Sequence, residues 1–77
     1  MSDINARIDV REIETTNRNG VIYTAFDNLK PGEIMELTND HDPHQLYQKL
    51  TIDRDGQFDW KYLSEGPDVW KVQITKI

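Results

Sequence analysis

The 77-residue sequence contains no cysteine. Disulfides, thiolate nucleophiles, Cys-ligated zinc or iron–sulfur centres and covalent carriage of sulfur on a thiol are therefore excluded. Glycine and proline are scarce, at four and three residues, and no repeat, low-complexity tract or linker divides the chain, so one domain is expected. Basic side chains are in deficit, nine against fourteen acidic ones, for a formal charge of -5. That balance disfavours nucleic acid and anionic membranes as partners. No apolar run approaches the roughly 20 residues of a membrane-spanning helix and no charged-then-apolar leader opens the chain, so a cytoplasmic location is expected. A domain this small buries only about 60% of its unfolded surface, and its core rarely supplies more than roughly 3–5 kcal/mol. Its large apolar residues must therefore share one core.

What is present falls into periodic segments. Residues 1–7 are polar and aperiodic and are expected to form a flexible N-terminus, leaving 8–77 as a single domain. Ile8-Asp9-Val10-Arg11 alternates apolar and polar, with Ile13 continuing the parity, which predicts a first strand; Glu14 to Gly20 reads as a polar connection. Val21, Ile22, Ala25, Phe26 and Leu29 form one stripe at 3.6 residues per turn, predicting a helix of about ten residues capped by Asn19 and stopped by Pro31-Gly32. Ile34 to Asn39 predicts a second strand with Met35 and Leu37 on one face. A second helix then begins at Asp42-Pro43-His44-Gln45, where Asp42 is placed to cap, Pro43 to take the first helical position and Gln45 to reach back. Leu46, Tyr47 and Leu50 supply its inward stripe.

Phe58 to Tyr62 alternates with period two, as does the final run carrying Trp70, Val72 and Ile74. If Glu65, Gly66 and Pro67 form an odd three-residue loop, Tyr62 faces Trp70, Trp60 faces Val72 and Phe58 faces Ile74, and every bulky group lands on one side. Truncating a core tryptophan costs roughly 3–5 kcal/mol, so Trp60→Ala or Trp70→Ala is expected to unfold the domain. The order βαβαββ gives an α+β fold, a two-layer α/β sandwich. Its mixed four-stranded sheet has the first three strands parallel, the last antiparallel to the third, and both helices on the aromatic face.

Two carboxylates and both histidines crowd into Asn39-Asp40-His41-Asp42-Pro43-His44, where a strand ends and a helix begins. Ligands of parallel α/β sheets favour that position. Asn39, Asp40, His41, Asp42 and His44 thus form a candidate ligand or partner site. In one reading His41 and His44, with Asp40, hold a metal or haem, since imidazole suits zinc, iron, copper or nickel; in another the loop takes an anion or small polar ligand. The structural alternative is that Asp42 caps the helix, Asn39 and Asp40 make an Asx-type turn and His44 is merely exposed. No cofactor is required by any motif, and no Ser-His-Asp order, phosphate-cradling glycine loop or helical His-Glu-x-x-His is present, so a non-enzymatic protein is expected. Asp9 and Arg11 read as a solvated ion pair. Trp60, Tyr62 and Trp70 read as core rather than as a surface for a flat ligand.

Ile8-Asp9-Val10-Arg11, Leu29-Lys30-Pro31-Gly32-Glu33 and Asn39-Asp40-His41-Asp42-Pro43 together resemble the TusA/SirA-like superfamily. With Phe26-Asp27, Gly56-Gln57-Phe58 and Glu65-Gly66-Pro67-Asp68-Val69-Trp70, the chain looks most like a bacterial and archaeal branch of it described only as a domain of unknown function. The resemblance implies the same βαβαββ sandwich. It also implies an association with hemerythrin-like proteins and with nitric oxide, denitrification or redox metabolism. TusA-type carriers hold persulfide sulfur on the cysteine of a Cys-Pro-x-Pro element, and ungapped counting places that cysteine at Thr15, followed by Thr16. A threonine hydroxyl cannot carry persulfide, so sulfur transfer through cysteine is excluded. The branch's His-Pro pair at the first helix start is replaced here by Asn19-Gly20. The expected function is that of a TusA-like interaction or regulatory module with a protein partner, monomeric or weakly homodimeric through an edge strand. The alternative is a metal-, haem- or small-ligand-binding domain built on the Asn39-to-His44 loop.

Overall fold

The computed structural model describes residues 4–77. Its elements in chain order are β1 (Ile4–Asp9), a 3₁₀ turn (Val10–Glu12), α1 (Thr15–Asp27), β2 (Ile34–Asn39), α2 (His44–Asp53), β3 (Phe58–Glu65) and β4 (Trp70–Lys76). The βαβαββ order and the mixed sheet are as the periodicity implied. Strand order is β1-β2-β4-β3, with β1 and β2 parallel and β4 antiparallel to both its neighbours. Among the described residues, no helix is long and apolar enough to cross a membrane.

The core lies between the sheet and the two helices. Met35 and Leu37 of β2 and Val72 and Ile74 of β4 are fully buried against Phe26 and Leu50 from the helices, with Val10, Ile22, Leu29 and Leu46 completing the cluster. The fully buried set is aliphatic apart from Phe26. Trp60, Tyr62 and Trp70 share a face as the parity required, yet all three are half-buried. They line up as edge-to-face neighbours, Phe58 to Trp60 to Tyr62 to Trp70, with ring centroids 6.4, 6.0 and 6.1 Å apart. Tyr47 of α2 closes on Trp60 at 5.2 Å. β3 is an edge strand, which is why its aromatics form a rim rather than the centre of the core.

Several boundaries differ from the sequence reading. Of the stretch expected to be flexible, residues 1–3 lie outside the described residues, while 4–7 belong to β1 and pair with β2. The polar Asn5 is accommodated there because its amide replaces ladder bonds: Ile34 N–H donates to Asn5 Oδ1 (3.0 Å) and Asn5 Nδ2 donates to Glu33 Oε2 (3.2 Å). Val10 to Glu12 is not strand but a 3₁₀ turn, capped by Asp9, whose carboxylate accepts from Arg11 N–H at 3.0 Å. The supposed polar connection is the start of α1, which begins at Thr15 rather than after Asn19. Its first turns are solvent-facing and carry no apolar stripe, so periodicity could not register them; Arg18 Nε, donating to Ile13 C=O at 3.0 Å, ties that turn to the segment before it.

The β3–β4 register is Tyr62 to Val72, Trp60 to Ile74 and Phe58 to Lys76, two residues from the expected pairing. An irregularity between Tyr62 and Ser64 adds one residue to β3, and residues 66–69 form a longer loop than the three expected. A slip of two preserves which face each side chain occupies, so Phe58, Trp60, Tyr62 and Trp70 still share one face.

Candidate functional site

β1 and β2 run side by side in the same direction, so the chain leaves both at one end of the sheet. After β1 it turns through the Asp9-capped 3₁₀ segment and enters α1 at Thr15. After β2 it passes Asn39 and enters α2 at His44. The helices therefore start at the same end. At the opposite end the helices are joined by Tyr23 O–H donating to Asp53 (2.7 Å) and by a two-pronged Arg54–Asp27 pair (2.9 Å on each prong). Arg54 holds the Asp27 carboxyl below its ordinary range.

Between the two helix starts lies an open cleft of about 740 Å³. Thr15 and Arg18 of α1 line one side, and Asn39, His41, Asp42 and His44 line the other. Asp40, the remaining member of the predicted site, is not among the lining residues; it accepts from His41 Nδ1 at 2.8 Å, a contact that holds its carboxyl low. The structure thus gathers most of the predicted loop in one concavity with Thr15, which lies far from it in sequence.

The local details correct the expected capping. Asp42 does not cap α2: its carboxylate accepts from Tyr62 O–H at 2.7 Å and ties the loop to β3. Pro43 occupies the N-cap position, one residue earlier than expected, and offers no side-chain acceptor; Gln45 makes no reach-back bond. Glu14 at the N-cap of α1 likewise makes no side-chain cap bond. Both helices consequently present first-turn N–H groups without side-chain partners. Asn39, only 7% exposed, accepts from Asp40 N–H through Oδ1 at 2.8 Å. That bond fixes which end of the amide is which, and Asn39 lines the cleft.

The metal reading gains little from this geometry. Among the described residues no group of three His, Asp or Glu side chains is placed to hold a metal ion. His41 turns one ring nitrogen to Asp40, and His44 is exposed on the first turn of α2. Two cations that sequence reasoning passed over also border the cleft, Arg18 and Lys49. Arg18 sat within an apparent loop, and its position becomes meaningful only once α1 starts at Thr15; no signal in the sequence alone marked it.

The model of the family described as "Uncharacterized conserved protein (DUF2249)" matches residues 7–76, nearly the whole chain. No curated protein and no solved structure matches it.

Proposed function

Because the chain belongs to DUF2249, a family of uncharacterized conserved proteins, we propose its function from its own geometry: a non-enzymatic, TusA-like binding module whose working face is the cleft between α1 and α2. The observation that carries this reading is the convergence of Thr15, which the TusA resemblance aligns with the carrier cysteine, with Asn39, His41 and His44 around one concavity. Ligand sites of parallel α/β units fall at such strand ends. Chemistry has little to work with there. Among the described residues Thr15 has no hydrogen-bonded base to activate its hydroxyl, and a nucleophile of this type is inert without one. In this reading the scaffold keeps the location of a carrier site without its thiol. It engages a protein partner of redox, nitric oxide or sulfur metabolism, from the cytoplasm and as a monomer or weak dimer.

The test is site-specific photocrosslinking in native lysate, with the probe at exposed His44 beside the cleft or at exposed Lys61 on β3. Capture of the same discrete protein from His44 and not from Lys61 supports the reading. Equal capture from both positions, or from Lys61 alone, overturns the cleft as the working face.

A further inference from the structure

We propose that β3 is the contact strand of a symmetric dimer: the β3 strands of two copies pair antiparallel about a twofold axis at Trp60 and join two four-stranded sheets into one. The proposal goes beyond the cleft reading, which leaves the choice between monomer and weak dimer open. The strand order leaves two edges, β1 and β3. β3 is eight residues long, and among the described residues no backbone hydrogen bond from outside the β3–β4 ladder reaches residues 58–63. Its outer row of N–H and C=O groups is a template for another strand. β1 is the poorer template. It has six residues, its pairing is irregular between Ile4 and Ala6, and its charges are matched within the chain, Arg7 to Glu36 (3.9 Å) and Asp9 to Arg11 (2.6 Å).

Charge selects both the partner and the register. Asp59 and Lys61 are exposed on the sheet face opposite the helices, beside the neutral Thr75 and Gln73 of β4. Neither side chain forms an ion pair or a hydrogen bond among the described residues. A lysine on an edge strand ordinarily discourages another strand from pairing; Asp59, two residues away, turns it into a recognition element for a second copy. A twofold axis perpendicular to the sheet sets residue i against j and j against i, with both on one face. Centred on Trp60, it sets Asp59 against Lys61 of the second copy and Lys61 against Asp59 of the second copy, two opposite-charge pairs. Of the other axes from 59 to 63, those on Asp59 and Lys61 oppose like charges and that on Tyr62 sets Asp59 against Glu65. The axis on Leu63 carries the pairing across the irregularity between Tyr62 and Ser64. On the helix side, the Trp60 axis sets the two Trp60 rings together and Phe58 against Tyr62 of the second copy, which covers the half-buried aromatic rim. Because β2 runs parallel to β3 within each copy, the carboxyl ends of the two β2 strands, and with them the two clefts, lie at opposite ends of the joined sheet. The dimer therefore presents two binding faces pointing apart.

Sedimentation equilibrium of the full chain, from micromolar to millimolar concentration, tests the interface with Asp59→Lys and Lys61→Glu, each at an exposed position. The parent should associate reversibly to a dimer. Each single variant turns both cross-copy pairs into like-charge pairs and should weaken association about tenfold or more. An equimolar mixture of the two single variants should then associate as the parent does, because two lysines of one copy meet two carboxylates of the other. The variant carrying both substitutions should recover the dimer as well. Recovery in the mixture also shows that neither single variant lost association by losing its fold. A parent that stays monomeric at millimolar concentration, association unchanged in the single variants, or a mixture of folded variants that stays apart overturns the proposal. The outcome is separable from that of the lysate experiment. A Lys61 probe that captures a second copy of this chain reports the dimer, whereas the partner scored at His44 is a different protein, so either result stands when the other fails.

Discussion

Replacing Gly66 with alanine should destabilise the domain more than replacing Gly32, although both glycines occupy the left-handed region, at φ +76° and +89°. Forcing an L-residue into that region costs about 1–2 kcal/mol at either position. The positions differ in what surrounds them. A Cβ at Gly32 meets nothing within 4 Å, whereas one at Gly66 falls 2.7 Å from Trp70 Cε2 and Nε1 and 2.8 Å from Cζ2. No indole tolerates that approach, so Trp70 must swing away and lose its edge-to-face packing on Tyr62, now 6.1 Å between centroids. Such a pair is worth about 0.5–1.5 kcal/mol beyond area burial. A difference near 1 kcal/mol corresponds to about 4–8 °C in a domain of this size, so Gly66→Ala should melt that far below Gly32→Ala. Thermal melts followed by circular dichroism on the two variants and the parent measure it directly. If Gly66→Ala melts at or above Gly32→Ala, Trp70 contributes nothing by its contact with the loop, and the aromatic rim is not part of the stabilising structure.

Two further predictions concern the core and pH. Phe26→Ala removes a fully buried ring and should cost roughly 3–5 kcal/mol, as much as the whole core of so small a domain supplies; Trp70→Ala, at the rim, should keep a cooperative melt at a lower temperature, and a folded Phe26→Ala would contradict the packing described. Burial, reinforced by the bond to the Asp53 carboxylate, pushes the Tyr23 hydroxyl up to about 12. Because the folded value lies above the ordinary one of 10.0, the associated stability is complete below pH 10 and disappears as pH rises toward 12. The urea-midpoint gap between the parent and Tyr23→Phe should therefore be constant from neutral pH to about 9 and narrow above 10, and a gap that widens there would refute the assignment.

The fold was legible wherever burial imposed a period. Met35 and Leu37, Val72 and Ile74, and Ile22 and Phe26 announced their elements because each repeats its apolar partner at the spacing of a strand or a helix. Elements that present polar residues to water left no such trace. Asn5 reads as a disordered tail residue until its amide is seen bonded to Ile34 N–H and Glu33, and Thr15 to Asn19 read as a loop because an exposed helical turn has no inward face. The site divided along the same line. The loop from Asn39 to His44 was visible from its composition, but capping rules assigned Asp42 to α2 when a partner on β3, Tyr62, competes for the same carboxylate. Arg18 and Lys49 enter the site only through the packing of one helix beside another, which no local pattern encodes.

The place of β4 between β2 and β3 has a consequence for the order in which the molecule assembles. The β1-α1-β2 unit and the β3–β4 hairpin are each local in the chain, and the sheet joins them along a single seam, where Ile34 to Asn39 pairs with Thr75 to Trp70. Closing that seam brings together residues as remote as Ile34 and Thr75, the widest separation among the paired strands, so it carries the largest single loop-closure cost of the sheet, by a small margin over β1–β2. Asn39 pairs with Trp70 as the terminal rung. Asn39 also lines the cleft, so the β2 side of that cleft is anchored to β4 only when this last rung forms.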